Sequence, residues 1–191
     1  ACTGRDVGRQ GTDALTAEQL RATPHVYFRS ARPDEYGKVV LADLDAPNER
    51  RIVSDLTCDR LDFGTRLGLC LAEVRGVPGI AAVVKIVDVH FTVLQAFPMT
   101  GAPIRARISP DERYGAVTVF ATGEHYDADF TTRTWLIDLE QRALLGELES
   151  FSTTLDGRPF KEVDFNLWGV TFERDSNRFY ATLGTGRQRF L

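Results

Sequence analysis

The densest run of residues that could do chemistry is GEHYDADF, residues 123–130, which contains Glu124, His125, Asp127 and Asp129. Carboxylates in such a loop could bind Ca²⁺, or the loop could line the mouth of a pocket and contact a ligand. The run lacks the Gly and the distal Glu of a defined calcium loop. A solvated loop between two strands is therefore the favoured interpretation, with Ca²⁺ as the one candidate cofactor.

Two of the three cysteines could form a disulfide. Cys58 ends one strand-like segment and Cys70 lies in the next, so neighbouring strands could bring the two sulfurs together. Such a bond would contribute on the order of 3 kcal/mol and would indicate a compartment outside the cytoplasm. Equally, Cys70 in LGLCLA could be a small buried hydrophobic residue. Spacing alone leaves both interpretations open.

The third cysteine, Cys2, is a candidate for lipidation. The chain starts with ACTG, without Met, as a processed secreted protein would. Ala before Cys suits the last residue of a bacterial lipoprotein signal, which would attach the protein to a membrane through a lipid.

The remaining residues match no sequence motif of a catalytic or metal site. His25 and His90 have no partner at a metal-ligand spacing, and the chain has neither a G-x-S-x-G motif nor a phosphate-binding loop. Trp135 and Trp168 lie in alternating segments and are predicted to be core residues.

Composition excludes several classes of protein. A net charge of −4 and a pI near 5.4 give no electrostatic reason to bind nucleic acid, and Arg105 and Arg107 are interpreted as sitting among acids. No apolar run approaches the roughly 20 residues that span a bilayer. Hydrophobic residues at 43% and charged residues at 26% are typical of a globular domain.

The elements that must position these residues are almost all strands. Residues 1–24 are predicted to be a flexible leader with one short helix, capped by Thr16 and Gln19 and ended by Pro24. From His25 onward the apolar residues recur with a period of two, in short segments separated by Gly, Pro, Asp and Asn. Residues 25–191 are therefore predicted to be one all-β domain.

The strands recur in units. An apolar-Asp-apolar strand end occurs at Asp43, Asp88 and Asp138, where Asp could accept backbone N–H bonds from the following turn. IRARISPDERYGAVTVF, residues 104–120, aligns with WGVTFERDSNRFYATL at an offset of 64 and more weakly with LDFGTRLGLCL at an offset of 47. The paired residues are Ile108 with Phe172, Asp111 with Asp175, Thr118 with Thr182, Leu61 with Ile108, and Gly68 with Gly115.

Four antiparallel strands per unit are typical of a β-propeller blade. A β-sandwich is the alternative, because it also has short strands and frequent turns. The repeats favour the propeller.

The segment ISPDERYGAVTVF resembles the SPDG-type blade motif of TolB-like, WD-like propellers of bacterial cell envelopes. The stretch FSTTLDGRPFKEVDFNLWGVTFERDSNRFYATLGTG is similar to actinobacterial members of that family. The resemblance implies a disulfide between Cys58 and Cys70. Two departures, Glu112 for the usual Gly and Arg174 for a turn proline, imply a different turn type.

The family is usually six-bladed, whereas this chain supplies about three blades and the start of a fourth. The expectation is a partial propeller: a fragment, a truncated variant, or a half that pairs with another copy. An open half-propeller exposes strand edges and apolar faces, so self-association is expected.

The leading functional hypothesis is a non-enzymatic extracytoplasmic module that presents loops and a funnel face to an envelope protein or glycan. The alternatives are a propeller-type glycan lyase, glycan hydrolase or lactonase, and the accessory propeller of a serine peptidase. Contact with a membrane is expected only through a lipid at Cys2.

Overall fold

The computed structural model describes residues 15–76, 81–121, 131–160, 165–186 and 188–191, and it is an all-β protein with one short α-helix. The helix is α1 (Ala17–Arg21), and single 3-10 turns occur at Pro33–Glu35 and Leu148–Ser150. The strands are β1 (His25–Arg29), β2 (Lys38–Asp43), β3 (Arg51–Thr57), β4 (Arg60–Phe63), β5 (Leu67–Val74), β6 (Ala81–Asp88), β7 (Val93–Thr100), β8 (Ala102–Ile108), β9 (Tyr114–Ala121), β10 (Thr131–Asp138), β11 (Ala143–Glu147), β12 (Thr154–Leu155), β13 (Arg158–Pro159), β14 (Asn166–Phe172), β15 (Phe179–Thr185) and β16 (Gln188–Phe190).

The predicted helix is present with its capping box. The Thr16 hydroxyl accepts from the Gln19 amide at 3.2 Å, and the Gln19 side chain accepts from the Thr16 amide at 2.8 Å. Leu20 is fully buried, and Arg21 donates to the Val89 carbonyl at 2.9 Å. The helix is therefore attached to the sheets through both an apolar and a polar contact.

The strands form antiparallel meanders in chain order. Sheet I has the order β1-β2-β3, sheet II β4-β5-β6-β7, sheet III β8-β9-β10-β11, and sheet IV β14-β15-β16. Strands β12 and β13 form a separate hairpin. Sheets II and III are thus complete four-stranded units, as the repeats predict.

Strand pairing confirms the alignment at an offset of 64. Ile108 pairs with Gly115 across one hairpin, and Phe172 pairs with Phe179 across the equivalent hairpin. The weaker alignment holds for Gly68 and Gly115 but is wrong for Leu61. Residue Phe63 pairs with Gly68 and so occupies the place of Ile108, because the β4–β5 connection is shorter.

The repeated aspartates end equivalent strands and bond the following turns. One carboxylate oxygen of Asp43 accepts from the Asp45 amide at 2.9 Å, and one of Asp88 accepts from the His90 amide at 2.8 Å. One of Asp138 accepts from the Gln141 amide at 2.7 Å. The predicted turn chemistry is confirmed at all three positions.

Hydrophobic residues form three clusters, one between each pair of consecutive sheets. Between sheets I and II lie Val39, Leu56, Cys58, Cys70, Ala72 and Val87. Between sheets II and III lie Leu69, Leu71, Val84, Ile86, Val117, Val119, Ile137 and Leu139, with others. Between sheets III and IV lie Ala116, Leu136, Leu148 and Val170.

Both faces of sheets II and III are therefore covered, and this arrangement distinguishes the fold from a sandwich. In a sandwich of two sheets, each sheet turns one face to the core and one to solvent. Here alternate residues of β5 enter different clusters: Leu69 packs towards sheet III and Cys70 towards sheet I. Sheets stacked in chain order, with a shared core at each junction, make the fold propeller-like.

The turns after β8 and β14 each reach back to the preceding sheet. Glu112 has φ 59° and Ser176 has φ 62°, and both are buried. The Glu112 carboxylate accepts from the amides of Arg66 and Leu67, each at 2.9 Å. The Ser176 hydroxyl accepts from the Asp111 amide at 3.1 Å. Glu112 thus keeps the left-handed turn conformation that a Gly would adopt easily, and it uses its side chain to join two sheets.

Within the described ranges, no helix has the length and apolar character that crossing a bilayer requires.

Candidate functional site

The acidic loop proposed from the sequence lies outside the described residues. Glu124, His125, Asp127 and Asp129 belong to the connection between β9 and β10, whose ends pair through Ala121 and Thr131. The calcium or ligand role of this loop stays a prediction. Cys2 also lies outside the described residues, so its lipidation stays a prediction too.

The disulfide between Cys58 and Cys70 is present. The Cα atoms are 5.4 Å apart, and both side chains are fully buried in the cluster between sheets I and II. Cys58 directly follows β3, whereas Cys70 lies inside β5. The bond therefore ties the end of sheet I to the middle of sheet II.

His25 and the two tryptophans make contacts within the fold, whereas His90 is exposed in the turn after β6. A ring nitrogen of His25 is 2.7 Å from the Thr23 carbonyl oxygen, and its ring packs edge-on against Tyr27. Trp135 packs against the cluster between sheets II and III, and Arg189 lies over the Trp168 ring at 5.6 Å. In the part of the chain that the structure describes, no group of three or more His, Cys, Asp or Glu residues could hold a metal ion.

The strands that open sheets II and III carry a cluster of charged side chains, which we call the first-strand cluster. It consists of Arg60 and Asp62 on β4, and Arg105 and Arg107 on β8. Strands β4 and β8 pack against each other. Alternate positions share one face of a strand, so each strand presents its two charged residues together.

Side chains of β4 form hydrogen bonds with the backbone of β8. These bonds are on the edge of β8 that faces away from β9. The Arg60 Nε donates to the Ile104 carbonyl at 2.6 Å, and an Asp62 carboxylate oxygen accepts from the Ile108 amide at 2.8 Å. The Ser109 amide donates to the Tyr114 carbonyl, so by alternation the amide of Ile108 points to the opposite edge. The cluster therefore lies at this unpaired edge of β8.

Burial and neighbouring charges shift the pKa values of Asp62 and Arg105. Burial raises the pKa of Asp62, and the Ile108 amide and the Arg107 and Arg105 charges offset this only in part. Burial lowers the pKa of Arg105, the nearby Arg107 charge lowers it further, and Asp62 opposes both effects. Arg105 and Arg107 thus lie with Asp62 at a site that is partly shielded from water.

The positive charge of β8 is not fully paired. The Arg105 Nε is buried and has no hydrogen-bond partner among the described residues, and Arg107 donates to the Ala106 carbonyl at 2.8 Å. The ion pairs of the described residues include neither arginine. Among the described residues, Asp62 is the acid that acts on Arg105, and the Arg107 charge acts on Asp62 as well.

Sequence reasoning missed Arg60 and Asp62. The signal that could have found them is the charged alternation in RLD, which recurs as RAR at the corresponding strand of the next unit. A charged pair on the first strands of sheets II and III is unusual in segments that otherwise supply core residues.

Comparisons with known proteins give little further information. No protein-family model matches the chain, and no curated protein matches it. Among solved structures 29 chains are similar, including the crystal structure of the tricorn protease, with a TM-score of 0.49 and 13% sequence identity. That similarity covers 83% of this chain but 14% of the tricorn protease chain. At these values the likeness supports no inference about activity.

The strand pairing and the three shared clusters define the class of protein. The chain has an all-β, propeller-like fold of antiparallel meanders, with a disulfide between its first two sheets.

Proposed function

We propose that this chain is part of a TolB-like β-propeller that works outside the cytoplasm as a non-enzymatic binding module for an envelope protein or glycan. The observation that carries the proposal is the incompletely paired positive charge of Arg105 and Arg107 at the unpaired edge of β8. Charged groups that are partly desolvated and short of a counter-charge are characteristic of binding sites.

Two further features support the proposal. Four-stranded meanders that share a core with each neighbour are the building plan of propeller blades. A buried disulfide is common in exported proteins and rare in the cytosol. Together they favour an exported propeller over a cytosolic sandwich.

Photo-cross-linking in the native envelope tests this function. A photoreactive side chain replaces Arg66, which is exposed in the turn directly after β4, four residues beyond Asp62. The control replaces Glu140, which is exposed in the turn between β10 and β11. We expect a discrete cross-linked partner from position 66 and none from position 140. No adduct at position 66, or the same adducts from both positions, would refute the binding function.

The raised pKa of Asp62 favours one second candidate, a propeller-type enzyme in which Asp62 is a general acid. Glycoside hydrolysis ordinarily uses two carboxyl groups, whereas the charged neighbours that shift the pKa of Asp62 are arginines. This candidate predicts turnover of acidic glycans or lactones that is abolished in the D62N variant. The binding-module proposal predicts no turnover by either protein.

A further inference from the structure

The first-strand cluster has a net positive charge. Its three guanidinium groups, those of Arg60, Arg105 and Arg107, outnumber the single carboxylate of Asp62. Arg60 is held by the carbonyls of Ile104 and of its own neighbour Asp59, at 2.6 and 2.8 Å. These carbonyl partners are neutral, and no ion pair of the described residues includes Arg60, so the four side chains together favour an anion.

The geometry of β8 brings the two other guanidinium groups to one place. Arg105 and Arg107 are two positions apart in a regular strand stretch, so they share a face with a spacing of about 6.6 Å along the strand. The Ala106 carbonyl points to the same unpaired edge as the Ile108 amide, by alternation. Because Arg107 donates to that carbonyl, its guanidinium lies over the unpaired edge.

We infer that the first-strand cluster binds the carboxylates of an extended acidic peptide segment of a partner protein, with Arg105 and Arg107 as the carboxylate-binding residues. This inference rests on the proposed binding function and specifies the partner. Guanidinium groups bind carboxylates with paired N–H donors, and neither Arg105 nor Arg107 has an ion pair among the described residues.

The spacing favours a peptide over an acidic glycan. In an extended peptide, side chains at positions i and i+2 lie on one side about 6.6 Å apart, which matches the spacing of the two arginines. Two acids separated by one residue therefore have the same repeat along the chain as Arg105 and Arg107. Asp62 lies beside them and would repel a third acid, so the site selects a short acidic pattern rather than a uniformly charged polymer.

The test is fluorescence anisotropy with a labelled peptide of alternating Glu and Thr, and a matched peptide of alternating Gln and Thr. We expect saturable binding of the Glu peptide, no binding of the Gln peptide, and affinity that falls with added salt. The R105Q and R107Q variants should each bind about tenfold more weakly, the change expected on loss of one charge-assisted hydrogen bond. The matched control is R174Q, in an exposed turn, which should bind like the wild type.

The D62N variant keeps the inference falsifiable if an arginine variant fails to fold. Asn can still accept from the Ile108 amide, but it removes the one negative charge of the cluster, so the Glu peptide should bind several-fold more tightly at low salt. Unchanged or weaker binding by D62N would contradict the electrostatic role. Equal binding of the two peptides, or Arg-independent binding of the Glu peptide, would overturn the inference.

Polyuronate, an acidic glycan, tests whether the bound carboxylates belong to a glycan or to a peptide. Arg-dependent binding of polyuronate without binding of the Glu peptide would overturn the peptide proposal. If the peptide does not bind but Arg66 still cross-links a partner in the envelope, this inference fails and the proposed function stands. If the peptide binds but no envelope partner cross-links, the envelope function is the part that fails.

Discussion

Replacing Glu112 tests how the consecutive sheets are joined. One carboxylate oxygen accepts from the Arg66 and Leu67 amides, each at 2.9 Å, and the other accepts from the amide and hydroxyl of Thr65. Gln at this position would turn an NH₂ group towards donors, so at least one of these donors loses its acceptor. We expect E112Q to lower the free energy of unfolding by about 2 to 3 kcal/mol.

Two further variants at position 112 distinguish the cost of backbone strain from the cost of the lost hydrogen bonds. Its φ of 59° lies in the left-handed region, which disfavours a residue with a Cβ by about 1 kcal/mol relative to Gly. E112A and E112G both lose the carboxylate, but E112G also relieves this strain. E112G should therefore be about 1 kcal/mol more stable than E112A.

The pH dependence of the free energy of unfolding tests the direction of the Glu112 pKa shift. Burial would raise the pKa of Glu112, but the hydrogen bonds from Thr65, Arg66 and Leu67 outweigh burial and hold it below the ordinary value of 4.5. The unfolded chain therefore binds the proton at higher pH than the folded chain, and stability is lost as the pH falls below about 4.5. The difference between wild type and E112Q should be full at neutral pH and shrink below that value.

Urea denaturation at neutral and acidic pH measures both effects. The matched control is E140Q, an exposed glutamate whose replacement should change stability by less than about 0.5 kcal/mol. An E112Q variant as stable as E140Q at neutral pH would refute the role of Glu112. A difference between E112Q and wild type that grows on acidification would refute the sign of the pKa shift.

Three further predictions concern the disulfide, the acidic loop and the open sheets. The C58S/C70S variant should lose about 3 kcal/mol of stability in urea, and an unchanged midpoint would show that the bond is dispensable. Addition of Ca²⁺ should leave the melting temperature unchanged, whereas a rise that is absent in D127N/D129N would establish a calcium loop. Sedimentation velocity should show association that increases with protein concentration, and a strictly monomeric chain would contradict the expected self-association.

Local chemistry made part of the fold predictable from sequence. The helix cap joins Thr16 and Gln19, three residues apart, and the turn bonds of Asp43 and Asp88 also lie within a few residues. Such bonds depend on neighbouring residues alone, so their residue types and spacing identify them. The repeat at an offset of 64 was visible for the same reason, because equivalent turns use equivalent residues.

The charged cluster could not be predicted in the same way. Asp62 and its partner Ile108 are 46 residues apart, and they meet because sheet II stacks on sheet III. In the sequence, Arg105 and Arg107 have acids such as Asp111 nearby, whereas in the structure Asp111 bonds Ser109 and its own turn. The stacking of the sheets decides which charges are paired, and sequence spacing does not contain that information.

Envelope cross-linking from position 66 in a chain that also carries R105Q and R107Q shows whether the partner binds at the first-strand cluster. We expect the partner seen with the parent chain to disappear, and to remain when R174Q replaces the two substitutions. A partner that still cross-links to the R105Q/R107Q chain with the same yield would contradict the claim that the first-strand cluster is the binding site.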